Sequence, residues 1–326
     1  MQYTFDKEKS KQVKGFAILL LLAYHLFEQE AAFGNVCVSV FVFLTGYGIA
    51  AGLMKQDGVT ARSAYAQAVL RAGKLMLQFT TLYVSVNLLW GFLFDYDKLY
   101  GLNKQGILYM LADATGISQF LDTPTMLLTW WYMKVAYVLI FLIPVLYFAV
   151  QKIGYAALPA AFLLPYIVQM DPDIQRYFFV AVFGVCAAYG KWPEKLAAIR
   201  MNPVIKWTLG IALFAVCVLV RQNYVVYQTF VAYVDAPIAL FLVYFVCQVL
   251  GMIPFVGKVL AFIGSHSLNI YLVHTFFYQA LWRDFIYSFR YAGLIWLVLL
   301  ACSLLYSVVL EFVKHVILKL IRKANL

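Results

Sequence analysis

The sequence predicts an all-α fold, a polytopic membrane helix bundle of about ten transmembrane helices, and three observations carry this prediction. Hydrophobic residues make up 64% of the 326 residues and charged residues only 12%, whereas soluble domains carry about a quarter charged residues. Apolar stretches long enough to cross a bilayer follow one another with short loops between them. No polar stretch is long enough to build a soluble catalytic domain, so we interpret residues 1–326 as one integral membrane domain with no appended soluble domain.

Each predicted span is an apolar run bounded by polar or basic residues. The first follows four lysines and resembles a signal peptide, but it lacks a small-residue cleavage site and more spans follow, so we expect a retained helix. The fifth is short and contains Pro159 and Pro165, which makes it the weakest of the set. The predicted spans are 13–31, 33–53, 70–94, 127–150, 155–170, 174–190, 203–221, 231–250, 261–282 and 291–318.

The Lys and Arg residues determine the predicted orientation. With the N-terminus in the cytoplasm, eighteen of these 25 residues fall in inner segments and seven in outer segments, so both termini are predicted to be cytoplasmic. The net charge of +10 follows from this asymmetry and requires no nucleic-acid partner. We expect a multi-pass protein of a bacterial-type cytoplasmic membrane, in contact with membrane lipid.

The longest loop, roughly 95–126, lies on the outer side in this orientation. It mixes polar and apolar residues, which predicts a short interfacial or re-entrant helix. Loops of this length are uncommon without a role. Two interpretations stay open: a cover over an acceptor site, or a simple connector.

Several kinds of site have no support in the sequence. The five cysteines lie in apolar segments without CxxC or CxxH spacing, so we expect small core residues rather than metal ligands or a disulfide framework. There is also no Gly-rich phosphate loop, no GxSxG and no HExxH. Phosphotransferase and metalloprotease functions are therefore not indicated.

The stretch from Lys14 to His25 is the most informative part of the chain. Eleven residues at about 100° each return almost to the starting angle, so both side chains lie on one helix face. At roughly 1.5 Å per residue, His25 lies about 16 Å deeper than Lys14, near half of the hydrocarbon thickness. An ionisable group at that depth is costly and by default marks a site.

His25 is the candidate general base, because a neutral imidazole can take a proton from a hydroxyl and return it near neutral pH. Glu28, three residues further on, is a candidate partner that fixes the tautomer of His25, and the adjacent Tyr24 is a candidate substrate contact. The alternatives are a core histidine bonded to a carbonyl, and an interfacial carboxylate in water.

Arg71 and Lys74 form a second candidate site at the cytoplasmic start of the third span. Residues three apart are neighbours on one helix face. Together with Lys14 they provide cations for an anionic group, and the phosphates of a nucleotide cofactor are the obvious candidates. The alternative is that these residues serve only the positive-inside topology.

The third candidate group lies toward the outer and middle parts of the bundle. His274 is intramembrane and is predicted either to line the same cavity as His25 or to be a structural histidine. Lys134 is a candidate acceptor contact, or a lysine that extends its ammonium to the interface. Asp235 precedes Pro237 at the start of a span, and we expect it to cap that helix.

Five segments together resemble the acyltransferase 3 family over nearly the whole chain. In order they are KGFAILLLLAYHLF, SVFVFLTGYGIAAG, RAGK, TWWYM and SLNIYLVHTFF. Members of this family are integral membrane proteins, commonly with ten helices, that O-acylate extracytoplasmic sugars and similar acceptors.

The resemblance extends to particular residues. Lys14 and His25 match the family motif of a basic residue, ten intervening residues and a histidine. Arg71 and Lys74 match its paired arginines, except that lysine keeps the charge without the bidentate geometry of arginine. In the second segment, Gly46 and Gly48 are expected to allow close helix packing.

This resemblance implies an acyl-CoA donor, expected to be acetyl-CoA, with no metal, and a carbohydrate or glycolipid acceptor. The phosphates would lie near Lys14, Arg71 and Lys74, and the thioester would reach toward His25. The alternative function is a transporter or flippase for a small polar solute or lipid-linked saccharide. Such folds commonly contain inverted repeats, and we find no internal symmetry in this sequence.

Overall fold

The structure is a computed structural model that describes residues 4–27, 33–101, 103–223, 226 and 229–324. Over these residues it is all-helical, with 86% helix and no strands, which confirms the all-α part of the prediction. The α-helices are, in chain order, α1 Lys7–Phe27, α2 Phe33–Met54, α3 Ala61–Trp90, α4 Tyr96–Tyr100, α5 Lys104–Ala114, α6 Tyr132–Ile153, α7 Ala157–Ile167, α8 Pro172–Gly190, α9 Trp192–Ala198, α10 Pro203–Gln222, α11 Val231–Gln248, α12 Pro254–Ser265, α13 Ser267–Thr275, α14 Arg283–Tyr287 and α15 Ala292–Ala324. A π-helical turn, Phe276–Leu281, directly follows α13.

Six helical segments of the described residues are long and apolar enough to cross a membrane. They are Gly34–Met54, Ala61–Leu93, Leu128–Ile167, Pro203–Gln222, Val231–Met252 and Ala292–Val316. The number rises to seven if α12 and the segment Ser267–Leu281, which meet at a bend of 63°, form one span. The predicted spans at 13–31 and 174–190 fall on α1 and α8, and the number of ten stays a prediction.

The chain divides into two compact units. Unit 1 comprises the described parts of Met1–Tyr24, Glu28–Ala72 and Val135–Gly264. Unit 2 comprises His25–Phe27, Gly73–Lys134 and Ser265–Leu326, again over the described residues. Helices α1, α3, α6 and α12 each contribute residues to both units.

Small residues bring helices α2 and α8 of unit 1 into close contact. A Cβ atom on Gly46 would lie 2.6 Å from the carbonyl oxygen of Ala181, and one on Gly184 would lie 2.5 Å from that of Phe43. No larger side chain fits at either position without moving the backbone of the other helix. The expected packing role is therefore confirmed for Gly46. It is wrong for Gly48, where an added Cβ would meet no described atom within 4 Å.

We expect Gly46→Ala to destabilise unit 1 and Gly48→Ala to leave it unchanged or slightly more stable. Overpacking at Gly46 should cost about 1–3 kcal/mol, whereas alanine at Gly48 gains about 0.5–1 kcal/mol because it restricts the unfolded chain. The measurement is the thermal unfolding midpoint of each purified variant in detergent. Equal midpoints for the two variants would contradict the packing role of Gly46.

A buried ion pair connects three helices of unit 1. The guanidinium of Arg221, at the end of α10, donates from Nε to Oδ1 of Asp235 at 2.5 Å, and the hydroxyl of Ser39 in α2 donates to Oδ2 at 3.1 Å. The side chains of Arg221 and Asp235 are only 3% and 1% exposed. Helix α11 begins at Val231, so the expected capping role of Asp235 is wrong. Asp235 lies inside the helix, where a buried carboxylate requires a cation and hydrogen-bond donors.

We expect Asp235→Leu to destabilise the protein strongly, by about 3–5 kcal/mol, because the buried charge of Arg221 loses this carboxylate. The double variant Arg221→Met with Asp235→Leu should recover most of the loss, since it removes both charges. Unfolding midpoints of the wild type, the two single variants and the double variant provide the test. A double variant no more stable than Asp235→Leu alone would count against this account.

Candidate active site

The two predicted intramembrane histidines lie next to each other in unit 2. The ring centroids of His25 and His274 are 4.9 Å apart, and the ring planes meet at 87° in an edge-to-face arrangement. His25 lies at the C-terminal end of α1 and is half-buried, whereas His274 in α13 is fully buried. The two imidazoles therefore lie in one location, in line with one of the two alternatives predicted for His274.

The backbone of α13 fixes the orientation of the His274 ring. Its Nδ1 lies 2.7 Å from the carbonyl oxygen of Tyr271 and 3.2 Å from that of Ile270. A carbonyl oxygen only accepts hydrogen bonds, so Nδ1 of the neutral ring carries the hydrogen and Nε2 carries the lone pair. Nε2 is buried and has no hydrogen-bond partner within the described part of the chain.

Aromatic rings surround His274 on its own helix and on the next turn. The rings of Tyr271 and Tyr278 have centroids 5.9 Å and 6.2 Å from that of His274. Tyr278 belongs to the π turn, a rare helical form that is frequent at functional sites. The His274 ring therefore lies beside two tyrosine rings.

The TWWYM segment packs directly on the helix that carries His274. The Trp130 indole donates to the carbonyl oxygen of Leu272 at 2.9 Å, and the Tyr271 hydroxyl donates to that of Thr129 at 3.0 Å. The hydroxyls of Thr129 and Thr275 are 2.8 Å apart. Two segments that are far apart in the sequence are thus joined beside the imidazole pair.

A buried carboxylate organises the residues that lead into this segment. We call residues 95–101 and 103–131 the outer segment, after the side of the membrane predicted for this loop; it contains α4 and α5, in agreement with the predicted short helix. Asp113 accepts hydrogen bonds at its carboxylate from the hydroxyls of Tyr100 at 2.6 Å, Thr125 at 2.8 Å and Ser118 at 3.3 Å, and from the backbone N–H of Met126 at 2.7 Å. Burial raises the pKa of Asp113, and these hydrogen bonds lower it in part.

The predicted cytoplasmic cations have different environments. In unit 1, Lys14 and Arg71 are half-buried, and Lys74 on the unit 2 part of α3 is exposed. Nη2 of Arg71 donates to Oε1 of Gln67 at 3.3 Å, and Gln67 in turn bonds Gln56 at 2.7 Å. Nη1 of Arg71 is buried without a hydrogen-bond partner among the residues that the structure describes. A buried guanidinium N–H of this kind is available to an anion.

The other candidate site residues are placed as follows. Tyr24 is half-buried in unit 1, and its ring occupies the space beside Gly34. Lys134 is half-buried in the first turn of α6. Glu28 lies outside the described residues, so its predicted partnership with His25 stays a prediction.

Unit 2 also contains a polar cluster that was not predicted from the sequence. Asn269 of α13 accepts from Gln78 at 2.7 Å, and its amide donates to Ser307 at 2.9 Å and to Glu311 at 3.1 Å. Gln78 lies one helical turn after Lys74 on α3. The only available signal was the presence of Asn269 and Glu311 in otherwise apolar spans.

An apolar groove of about 590 Å³ lies beside the π turn in unit 2. Its walls include Trp90 at the end of α3, Phe277 of the π turn, Trp282, and Tyr306 of α15. The Phe277 and Trp282 rings stack with centroids 5.2 Å apart. This lining suits hydrocarbon rather than a polar ligand.

Asp113→Leu should loosen the outer segment, because four hydrogen-bond donors lose their acceptor. Each buried donor left unsatisfied costs about 1–3 kcal/mol. Asp95→Ala, which removes only the exposed cap of α4, is the matched control and should cost about 1 kcal/mol.

Hydrogen exchange of the outer segment, followed by mass spectrometry, measures this difference. We expect faster exchange over residues 113–131 in Asp113→Leu and a change limited to α4 in Asp95→Ala. Unchanged protection of 113–131 in Asp113→Leu would rule out the organising role of this carboxylate.

Comparison with protein families gives a match over nearly the whole chain. The model of the acyltransferase 3 family, described as an acyltransferase domain, matches residues 10–313 and so includes every segment of the candidate site. No curated protein and no solved structure matches the chain.

Proposed function

Because the chain belongs to the acyltransferase 3 family, which supports a membrane O-acyltransferase activity, we propose that it moves an acyl group from cytoplasmic acyl-CoA to a hydroxyl of an extracytoplasmic or lipid-linked sugar. Acetyl-CoA is the proposed donor. The proposal includes ten spans, cytoplasmic termini and a bacterial-type cytoplasmic membrane. The unequal distribution of Lys and Arg residues along the sequence supports this orientation.

The observation that carries the proposal is the contact between His25 and His274. A neutral imidazole can accept a proton from a hydroxyl and return it. In the proposed reaction the acceptor oxygen attacks the thioester carbon while His25 takes the hydroxyl proton. The carbon–sulfur bond then breaks, and His25 returns the proton to the departing sulfur, which yields the ester and free CoA.

The donor phosphates are proposed to bind the cytoplasmic cations. Arg71 supports this assignment with its buried and unpaired Nη1 in the described structure, and Lys14 and Lys74 add positive charge. Lysine binds phosphate as a point charge, whereas arginine offers a planar fork. We therefore expect Arg71 to contribute more to donor affinity than Lys74.

The acceptor is proposed to approach from the outer side, past the outer segment. The hydrogen bonds of Thr129 and Trp130 to α13 support a role of this segment beside the imidazole pair. Tyr24, Lys134 and His274 are the proposed acceptor contacts. Glu28 is the proposed orienting partner of His25.

Radiolabelled acetyl-CoA and purified protein in nanodiscs provide the test, with cell-envelope membranes supplied as acceptor. Arg71→Ala should weaken donor binding by about 10–100-fold, the value of a lost charge-assisted hydrogen bond. His25→Ala should leave binding intact and lower transfer by at least about 100-fold. Lys152→Ala, an exposed cation at the end of α6, is the matched control and should change neither.

Two outcomes would contradict the proposal in different ways. Transfer retained in His25→Ala removes the base assignment but leaves the acyltransferase intact. Absence of saturable acetyl-CoA binding in the wild type removes the donor assignment and favours the transporter or flippase.

A further inference from the structure

The guanidinium of Arg71 in unit 1 is held on one side. Its Nη2 donates to Oε1 of Gln67, one helical turn earlier on α3, at 3.3 Å. A Cβ atom on Gly52 would lie 3.8 Å from the same nitrogen, so the guanidinium lies against the last turn of α2. Nη1 is buried and has no hydrogen-bond partner among the residues that the structure describes. One side of the guanidinium is thus fixed, and the other side is available to an anion.

A reciprocal pair of amides holds Gln67 in turn. Nε2 of Gln67 donates to Oε1 of Gln56 at 2.7 Å, and Nε2 of Gln56 donates to Oε1 of Gln67 at 3.2 Å. Gln56 also donates from Nε2 to the carbonyl oxygen of Gly52 at 2.9 Å. A chain of hydrogen bonds therefore runs from the backbone of α2 through two side-chain amides to the guanidinium of Arg71.

The direction of each bond in this chain follows from its two ends. A guanidinium only donates, so the atom of Gln67 that faces Arg71 is the amide oxygen. A carbonyl oxygen only accepts, so the atom of Gln56 that faces Gly52 is the amide nitrogen. Neither amide can flip without bringing two donors or two acceptors together. The amide oxygen of Gln67 is therefore fixed toward Arg71.

The side chain that fixes Arg71 is neutral, so it leaves the positive charge of the guanidinium uncompensated. Arg71 takes part in none of the ion pairs between described residues. A carboxylate at position 67 would give the guanidinium a counter-ion, and this counter-ion would compete with a bound anion. An amide oxygen accepts the same hydrogen bond without this competition.

We propose that Gln67 is a positioning residue of the donor site: its amide oxygen holds Nη2 of Arg71 and leaves Nη1 and the positive charge to a phosphate of the acyl-CoA donor. A guanidinium that is fixed before binding loses less conformational freedom when the phosphate arrives, and this raises the affinity. Gln56 secures the amide of Gln67. This inference rests on the proposed function, in which Arg71 binds the donor phosphates.

The test measures the Kd of radiolabelled acetyl-CoA for purified protein in nanodiscs, with Gln67→Met beside Gln67→Glu. Methionine removes the acceptor at similar volume, and we expect Kd to rise about 3–10-fold, the value of one hydrogen bond. Glutamate keeps an acceptor but adds a counter-ion to Arg71, so Kd should rise at least about tenfold. Its unfolding midpoint should nevertheless fall no further than that of Gln67→Met. With cell-envelope membranes as acceptor, kcat at saturating donor should stay within about twofold in both variants.

A second comparison shows whether Gln67 acts through Arg71. In the Arg71→Ala background, Gln67→Met should change Kd by less than about twofold, because the guanidinium that Gln67 positions is absent. Thr60→Ala is the matched packing control, since the Thr60 hydroxyl oxygen, just before α3, accepts from the backbone N–H of Ser63 at 3.2 Å. We expect its unfolding midpoint to fall at least as far as that of Gln67→Met while Kd stays within about twofold of the wild type.

The outcomes separate this inference from the proposed function. Saturable binding to the wild type with an unchanged Kd in Gln67→Met overturns the positioning role and leaves the proposed function in place. Equal weakening by Gln67→Met with and without Arg71 overturns it as well, since Gln67 then does not act through the guanidinium. A wild type that binds no acetyl-CoA removes both this inference and the donor assignment.

Discussion

The structure depends on one constraint: polar groups placed inside apolar helices must find partners within the protein, because the surroundings offer none. Asp235 meets this constraint with Arg221 and Ser39 in unit 1. Asn269 meets it with Gln78 and Glu311 in unit 2. Each of these clusters joins helices that are distant in the sequence, so the need for hydrogen bonds selects which helices become neighbours. Packing of small residues then determines how closely they approach.

The same constraint gives the candidate site its rigidity. Helix α13 is held on one side by hydrogen bonds to Thr129 and Trp130 of the outer segment, and on another by Asn269 and its partners on α15. His274 lies between these two attachments, and its Nε2 has no hydrogen-bond partner in the described structure. The ring is thus held in place while this nitrogen stays available to a reacting group.

Much of this arrangement could be predicted from the sequence, and the reasons for the exceptions are physical. The helical class and the importance of His25 and His274 follow from hydropathy and from the cost of an imidazole in an apolar span. Their contact does not, since residues 249 positions apart meet only through tertiary packing. The role expected for Asp235 was wrong: a carboxylate near the start of an apolar run indicates a cap, but the helix already begins at Val231 and Arg221 pairs with the carboxylate. Gly46 and Gly48 cannot be distinguished in the sequence, because only the rotation of α2 about its axis determines that Gly46 contacts α8.

The packing after His274 depends on the number of residues in the π turn that follows it. A π turn contains one more residue per hydrogen-bonded turn than an α-helix, and an α-helix rotates by about 100° per residue. Deletion of any one residue from Phe276–Leu281 would allow the turn to close as an ordinary α-helix. Trp282 and the segment after it would then rotate relative to the imidazole, and the stacked wall of Phe277 and Trp282 would separate. Related chains that differ by a single residue here would therefore have a differently shaped groove beside an unchanged histidine.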